Sequence, residues 1–186
     1  PSSPWEVIIW KPRQMPSTGR FSSSTRRRSG SARPRSEMAR IASAVHVVTT
    51  DGPAGRAGLP RSAVASISDQ PPSLLICVNR ALHSGARLIE NGVFCVNTLA
   101  AEDRLLAEDF AGRTGLHLEE RFHRGEWLKL VTGAPALAAA VAAFDCSVVE
   151  VKDVATHHIV IGAVEAVRLG PGGPGLTYHN RAYRTV

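Results

Sequence analysis

The stretch RSAVASISDQPPSLLICVN, residues 61–79, holds two apolar runs parted by Pro71-Pro72. The first run is nearly all small: Ser62, Ala63, Val64, Ala65, Ser66, Ile67 and Ser68. The second, Leu74–Val78, is bulky and β-prone. Together they read as a strand, a turn and a buried strand. A strand with so little side-chain volume leaves room beside its backbone for something flat to lie.

Working outward, IASAVHVVTTDG from Ile41 reads as a strand that closes in a Gly-Pro turn. HSGARLIENG from His83 reads as a short helix stopped by Gly92. VFCVNTL follows as a strand. AEDRLLAEDFAG places Leu105, Leu106 and Phe110 at helical spacing, with Gly112 as the stop. FDCSVVEVKDV and HHIVIGAVEAVRL are two longer strands that would pair through KDVAT, and GLTYHN is a short last one. Many strands joined by short helices argue against a βαβ architecture. They predict a closed, mostly antiparallel barrel.

The 186 residues suit one domain. By size scaling such a chain buries roughly 70% of its unfolded surface. No run of about 18 apolar residues occurs, so no transmembrane helix and no membrane partner is expected. The net charge of +6 is unevenly spread. Residues 1–40 carry nine Lys/Arg and two Glu, which leaves the remainder at −1. Residues 1–36 are rich in Ser, Arg, Gly and Pro and read as a disordered basic tail, with the folded domain over 37–186. A flexible arm, residues added for expression, and translation from upstream of the natural start all remain open as its origin. Arg26, Arg27 and Arg28 could touch phosphates, but no aromatic platform or groove-reading motif accompanies them. No nucleic-acid partner is expected. Cys77, Cys95 and Cys146 sit singly in apolar runs, as small buried side chains of a reducing cytoplasm would.

A literal GxGxxG occurs at Gly170, Gly172 and Gly175, but Pro171 and Pro174 interrupt it and no helix can start there. It reads as a loop. His157 and His158 open a strand and must point to opposite faces, His157 with Ile159 and Ile161, His158 with Val160 and Gly162. No Cys or His pair has metal-ligand spacing, so no metal is expected. The chemistry alone favours a satisfied structural histidine over a functional one. Glu119-Glu120 reads as a solvated turn, and Asp145 as a buried acceptor of backbone hydrogen bonds.

The order of motifs is more specific than any one of them. AVHVVTTDGPAGRAGLPRSAVASISDQPPSLLICVNR, NGVFCVNTLAAED, FAG, TGAPAL, THHIVIGAV and LTYHNRAYRTV occur in sequence. This set, over residues 38–186, resembles the flavin reductase-like family of FMN-binding split barrels. Within it the chain is most similar to the FMN reductase components of two-component monooxygenases, such as those of pyrimidine utilisation. The resemblance implies a six-stranded antiparallel split β-barrel with short helices, a cytoplasmic homodimer with the flavin cleft at its subunit interface, and hydride transfer from NADH to FMN, with NADPH left open. A flavin-dependent monooxygenase would be the partner that takes the reduced FMN. A non-enzymatic FMN-binding split-barrel protein is the alternative.

The resemblance also assigns residues. Arg61, Ser62, Ala63, Val64 and Ser66 would form the bed of the isoalloxazine ring. Asn79, Arg80 and Ser84 would meet the ribityl chain and phosphate, and Asn97 would line the flavin pocket. His157 would position the nicotinamide, and Tyr183 would close the same cleft. The chain departs from the family pattern Gly-(Leu/Met)-Thr-Ala-Ser-Ala at Pro60 and Arg61. Pro60 lacks a hydroxyl and a backbone N–H, and Arg61 puts a long cation where Ala is usual.

Overall fold

A computed structural model describes residues 7–9 and 38–186. The expected disordered tail lies outside the described residues, apart from the three-residue strand β1 (Val7–Ile9). The first strands of the domain are β2 (Ser43–Ala44), β3 (His46–Thr50), β4 (Ala57–Arg61), β5 (Val64–Asp69) and β6 (Pro72–Asn79). Helix α1 (His83–Asn91) leads into β7 (Val93–Thr98), and helix α2 (Arg104–Phe110) follows. Then come β8 (Trp127–Lys129), β9 (Pro135–Leu137), β10 (Ala142–Val154), β11 (His157–Leu169), β12 (Leu176–His179) and β13 (Ala182–Thr185).

The main sheet runs β4-β3-β7-β10-β11-β6-β5, with β1 paired beside β11. All its pairings are antiparallel. That path holds seven strands rather than the expected six. The additional one is β4, whose sequence AGLPR carries a Gly and a Pro that hide it from strand propensity. Proline is tolerated there because β4 is a terminal strand of the path, where one side of the backbone needs no partner. The ladder with β3 continues through Pro60, opposite Val47. The Pro60 nitrogen therefore faces away from β3.

Alternation along the strands divides the interior in two. Val48, Leu74, Ile76, Val78, Phe94, Val96 and Val160 fill the inside of the barrel. Val47, Cys95, Leu106, Phe110, Phe122 and Leu137 make a second core on the outer face of β3-β7. There Phe110, Phe122 and Trp127 pack edge to face at 5.0–5.8 Å. Glycine at 85 lets α1 press onto β6, since a Cβ there would lie 2.4 Å from the Val78 side chain. Gly92 stops α1 in the left-handed conformation at φ 69°, and the Gly170–Gly175 segment is the loop between β11 and β12. No helix among the described residues is long and apolar enough to cross a membrane.

His46 on β3 is half-buried, and its Nδ1 lies 3.1 Å from Thr98 Oγ1. Burial pushes its pKa down to about 4. The unfolded chain takes up a proton near pH 6.5 that the fold refuses until about pH 4, so stability falls as pH drops through this window. The full shift corresponds to about 3 kcal/mol. Burial raises the Asp103 and Asp145 carboxyls, whose protonation favours the fold in acid and acts in the opposite sense. The expected result is therefore a difference: against His46→Gln, the wild type loses up to about 3 kcal/mol more between pH 7 and pH 4. Parallel urea-unfolding curves for the two proteins across that range would contradict it.

Candidate active site

The sheet is split where β4 hands over to β5. These strands are consecutive in sequence, yet they lie at opposite ends of the hydrogen-bonded path. Among the described residues β5 pairs only with β6, so its other edge presents unpaired N–H and C=O groups. Ser62 and Ala63, which join the two strands, are exposed. Cys77 N–H donates to Ala63 C=O at 3.2 Å and fixes this junction to β6. The small-residue stretch is thus a bare backbone edge with almost nothing standing over it at 62–63.

The start of this edge lies beside a polar groove at the end of β6. Asn79 closes β6 directly opposite His157, the first residue of β11. Asn79, Arg80 and His157 line the groove together with Ala81 and Thr156. His157 is exposed, and its Nδ1 lies 2.9 Å from Thr156 Oγ1. His158 points to the other face, as the alternation predicts, and its Nδ1 contacts Asp153 Oδ1 at 2.7 Å. Asp153 also faces Arg80 at 3.6 Å. The Asn79 carboxamide accepts from Ala81 N–H at 2.9 Å and shapes the turn into α1. No side chain caps the N-terminus of α1, and Ser84 is buried in its first turn. Arg80 and an uncapped helix start therefore stand side by side, a combination suited to an anion.

Arg61 and Ser62, just before β5, line a cavity together with Ala111, Arg113, Tyr178 and Tyr183. The β12–β13 hairpin turns at Asn180 and Arg181, both left-handed at φ 48° and 62°. This turn sets Tyr178 opposite Tyr183, with the rings edge to face at 5.3 Å. Desolvation raises the Tyr183 phenol pKa, which keeps it neutral. The expected site residue Tyr183 thus shares this cavity with Tyr178, a residue the sequence did not single out although LTYHNRAY already spaces the two as hairpin partners. It had no signal for Arg113, which reaches this cavity from the loop after α2.

Two of the expected site residues face elsewhere. Val64 and Ser66 alternate inward, toward a second cavity at the mouth of the barrel shared with His46, Phe144 and Val164. Only their backbone remains on the edge. Asn97 is also placed apart from the other expected site residues. It is fully buried on the outer face of β7, away from the split. Its amide donates to Val47 C=O at 3.0 Å and Thr49 Oγ1 at 3.1 Å, and accepts from Leu137 N–H at 2.7 Å. With those groups engaged it has nothing left to offer a ligand.

Residues 38–186 match the family described as flavin reductase like domain. The chain is 50% identical over 149 residues to the FMN reductase (NADH) RutF of Methylorubrum populi, covering 80% of this chain and 73% of that protein. Its fold superposes on the crystal structure of a candidate flavin reductase from Haemophilus somnus with a TM-score of 0.80 and 40% identity, over 85% of this chain and all of the other. It also superposes on BorF, the flavin reductase component of a bacterial two-component tryptophan halogenase, with a TM-score of 0.76 and 28% identity, over 82% of this chain and 96% of that one.

Proposed function

The chain belongs to the flavin reductase-like family, and from that premise we propose that it transfers hydride from NADH to FMN and releases reduced FMN to a partner monooxygenase. The observation that carries this reading is the bare edge of β5, whose start adjoins two cation-bearing concavities. A flavin bound there supplies the hydride-accepting ring nitrogen, and the protein supplies geometry and charge. The open N–H and C=O groups suit the polar edge of the ring. Small side chains at Ser62 and Ala63 let that edge approach the backbone. Arg80 and the start of α1 suit the FMN phosphate. His157 stands in the same groove, placed to hold the nicotinamide against the ring.

A second copy of the chain completes the site in this reading. The outer face of β5-β6-β11 aligns Ala65, Leu75 and Ile161 in one row and Cys77 and Ile159 in the next. None of these five is fully buried in the single chain. A partner protomer would cover this apolar face beside the cleft.

The test is NADH oxidation with added free FMN, read by loss of nicotinamide absorbance, alongside sedimentation to read the assembly. Catalytic turnover of free FMN is expected, with NADPH and FAD as comparison arms. FMN that binds tightly without turnover would make the chain a flavin-binding protein only.

Pro60 is where this chain should fall short of its relatives' usual pattern. Its nitrogen faces the split, and it has no hydrogen to give. Pro60→Thr restores a donor at that edge. One added hydrogen bond to a ligand contributes about 0.5–1.5 kcal/mol, so FMN should bind roughly threefold to tenfold tighter. Titration of flavin fluorescence reads this directly, and unchanged or weaker binding would show that the flavin does not use that backbone position.

A further inference from the structure

Where β5 ends and β6 begins, the mouth of the barrel holds a cavity of about 190 Å³. Val96, Phe144, Val164 and Val167 form apolar walls, with serine hydroxyls from β5 and β6 on another side. Asp69, at the turn between β5 and β6, also lines it. At about 3.3 Å per residue, Asp69 stands roughly 20 Å along the strand from Ala63. The cavity therefore extends away from the 62–63 junction and from the groove at Asn79. His46 supplies its imidazole wall. Position 46 alternates to the same side of β3 as Val48, inside the barrel. Its Nδ1 is turned to Thr98 Oγ1, on the residue directly opposite in β7. Among the described residues its Nε2 has no hydrogen-bond partner, and it is not sealed off as Arg61 Nε and Nη2 are.

These walls narrow the ligand. Burial keeps the imidazole neutral near pH 7, and no Lys or Arg lines the cavity. The Asp69 carboxylate is exposed to water. An anion would leave water for apolar walls with no counter-charge. An uncharged molecule needs only one hydrogen-bonding group aimed at Nε2. A hydroxyl serves whichever tautomer His46 adopts, because it both donates and accepts. A cavity of about 150 Å³ is enough to hold benzene, so this one suits a single six-membered ring with a short substituent.

We propose that the barrel mouth is a second small-molecule site, which takes an uncharged single-ring aromatic molecule through a hydroxyl on His46 Nε2. The site stands apart from the reductase reading and survives or fails without it. The probe is benzyl alcohol, titrated into the full chain and followed by protein NMR, with toluene and benzoate as comparison arms. Benzyl alcohol should bind with a Kd at or below about 1 mM. Toluene lacks the hydroxyl and should bind about threefold to tenfold more weakly, and benzoate should not bind. His46→Leu should bring benzyl alcohol down to the affinity of toluene and leave toluene unchanged. His46→Gln keeps a donor and an acceptor and should recover part of the loss. Val167→Phe fills the mouth and should abolish binding of both rings, while its FMN titration matches the wild type. Should Val167→Phe fail to fold, the contrast between His46→Leu and His46→Gln still decides. Benzyl alcohol binding that survives saturating FMN supports a separate site. Absent binding, binding indifferent to His46→Leu, or displacement of the probe by FMN overturns the proposal, the last by placing the probe in the flavin cleft.

Discussion

His157→Ala lowers kcat/KM for NADH by about fivefold to 150-fold and leaves FMN affinity nearly unchanged. This range corresponds to about 1–3 kcal/mol of transition-state stabilisation, the loss of one positioning contact. The expectation follows from placement. His157 is exposed in the groove with Asn79 and Arg80, and its ring is steadied by Thr156 Oγ1 at 2.9 Å. His158 is the internal control. It sits on the opposite face of β11, and its ring is engaged by Asp153. His158→Ala removes a pair whose acid is 60% exposed, and such pairs contribute only about 0–1 kcal/mol. Steady-state NADH oxidation at saturating FMN, run on both variants, separates the roles. A more damaged His158→Ala enzyme would reverse the facing assignment. Unchanged rates with lowered melting temperatures in both would make the histidines structural.

The long hairpin of β10 and β11, the stop at Gly92 and the two short helices were legible because each rests on local chemistry: alternation, an αL glycine, and helical spacing of Leu106 and Phe110. The facing of His157 and His158 was legible for the same reason. β4 was not, because its Gly and Pro argue against a strand and only its terminal position in the sheet permits one. The bed was half legible. Small residues do mark the edge, but the period of two sends Val64 and Ser66 inward once the register with Ile76 and Leu74 is set. That register depends on β6 and β11, far along the chain. Arg113 and Arg104 reach Tyr183 only through the fold of the loop after α2 and the C-terminal hairpin. Nothing in their local sequence marks them.

Asn97 illustrates a related point. A polar residue inside an apolar strand invites a functional reading, and the motif resemblance supplied one. Its hydrogen bonds point to a different use of polarity. The carboxamide ties three elements together: β7, which carries it, β3 through Val47 and Thr49, and β9 through Leu137. Asn97→Ala leaves the Val47 carbonyl and the Leu137 N–H buried without these partners, and each such group costs about 1–3 kcal/mol. With the small cavity added, the expected loss is about 3–5 kcal/mol, a large share of the stability of an ordinary domain. At about 2–4 °C per kcal/mol the melting temperature should fall by about 6–20 °C. Asn97→Asp tests which half of the amide matters. It keeps an acceptor for Leu137 N–H but sets a carboxylate against the Val47 carbonyl, so it too should be strongly destabilised. FMN affinity of the folded fraction should be unaffected in both, because β7 presents this residue to the core behind the sheet and not to the split. Thermal melts and flavin titrations on the same samples decide it. If Asn97→Ala melts like the wild type and FMN binding collapses, the residue belongs to the flavin pocket after all.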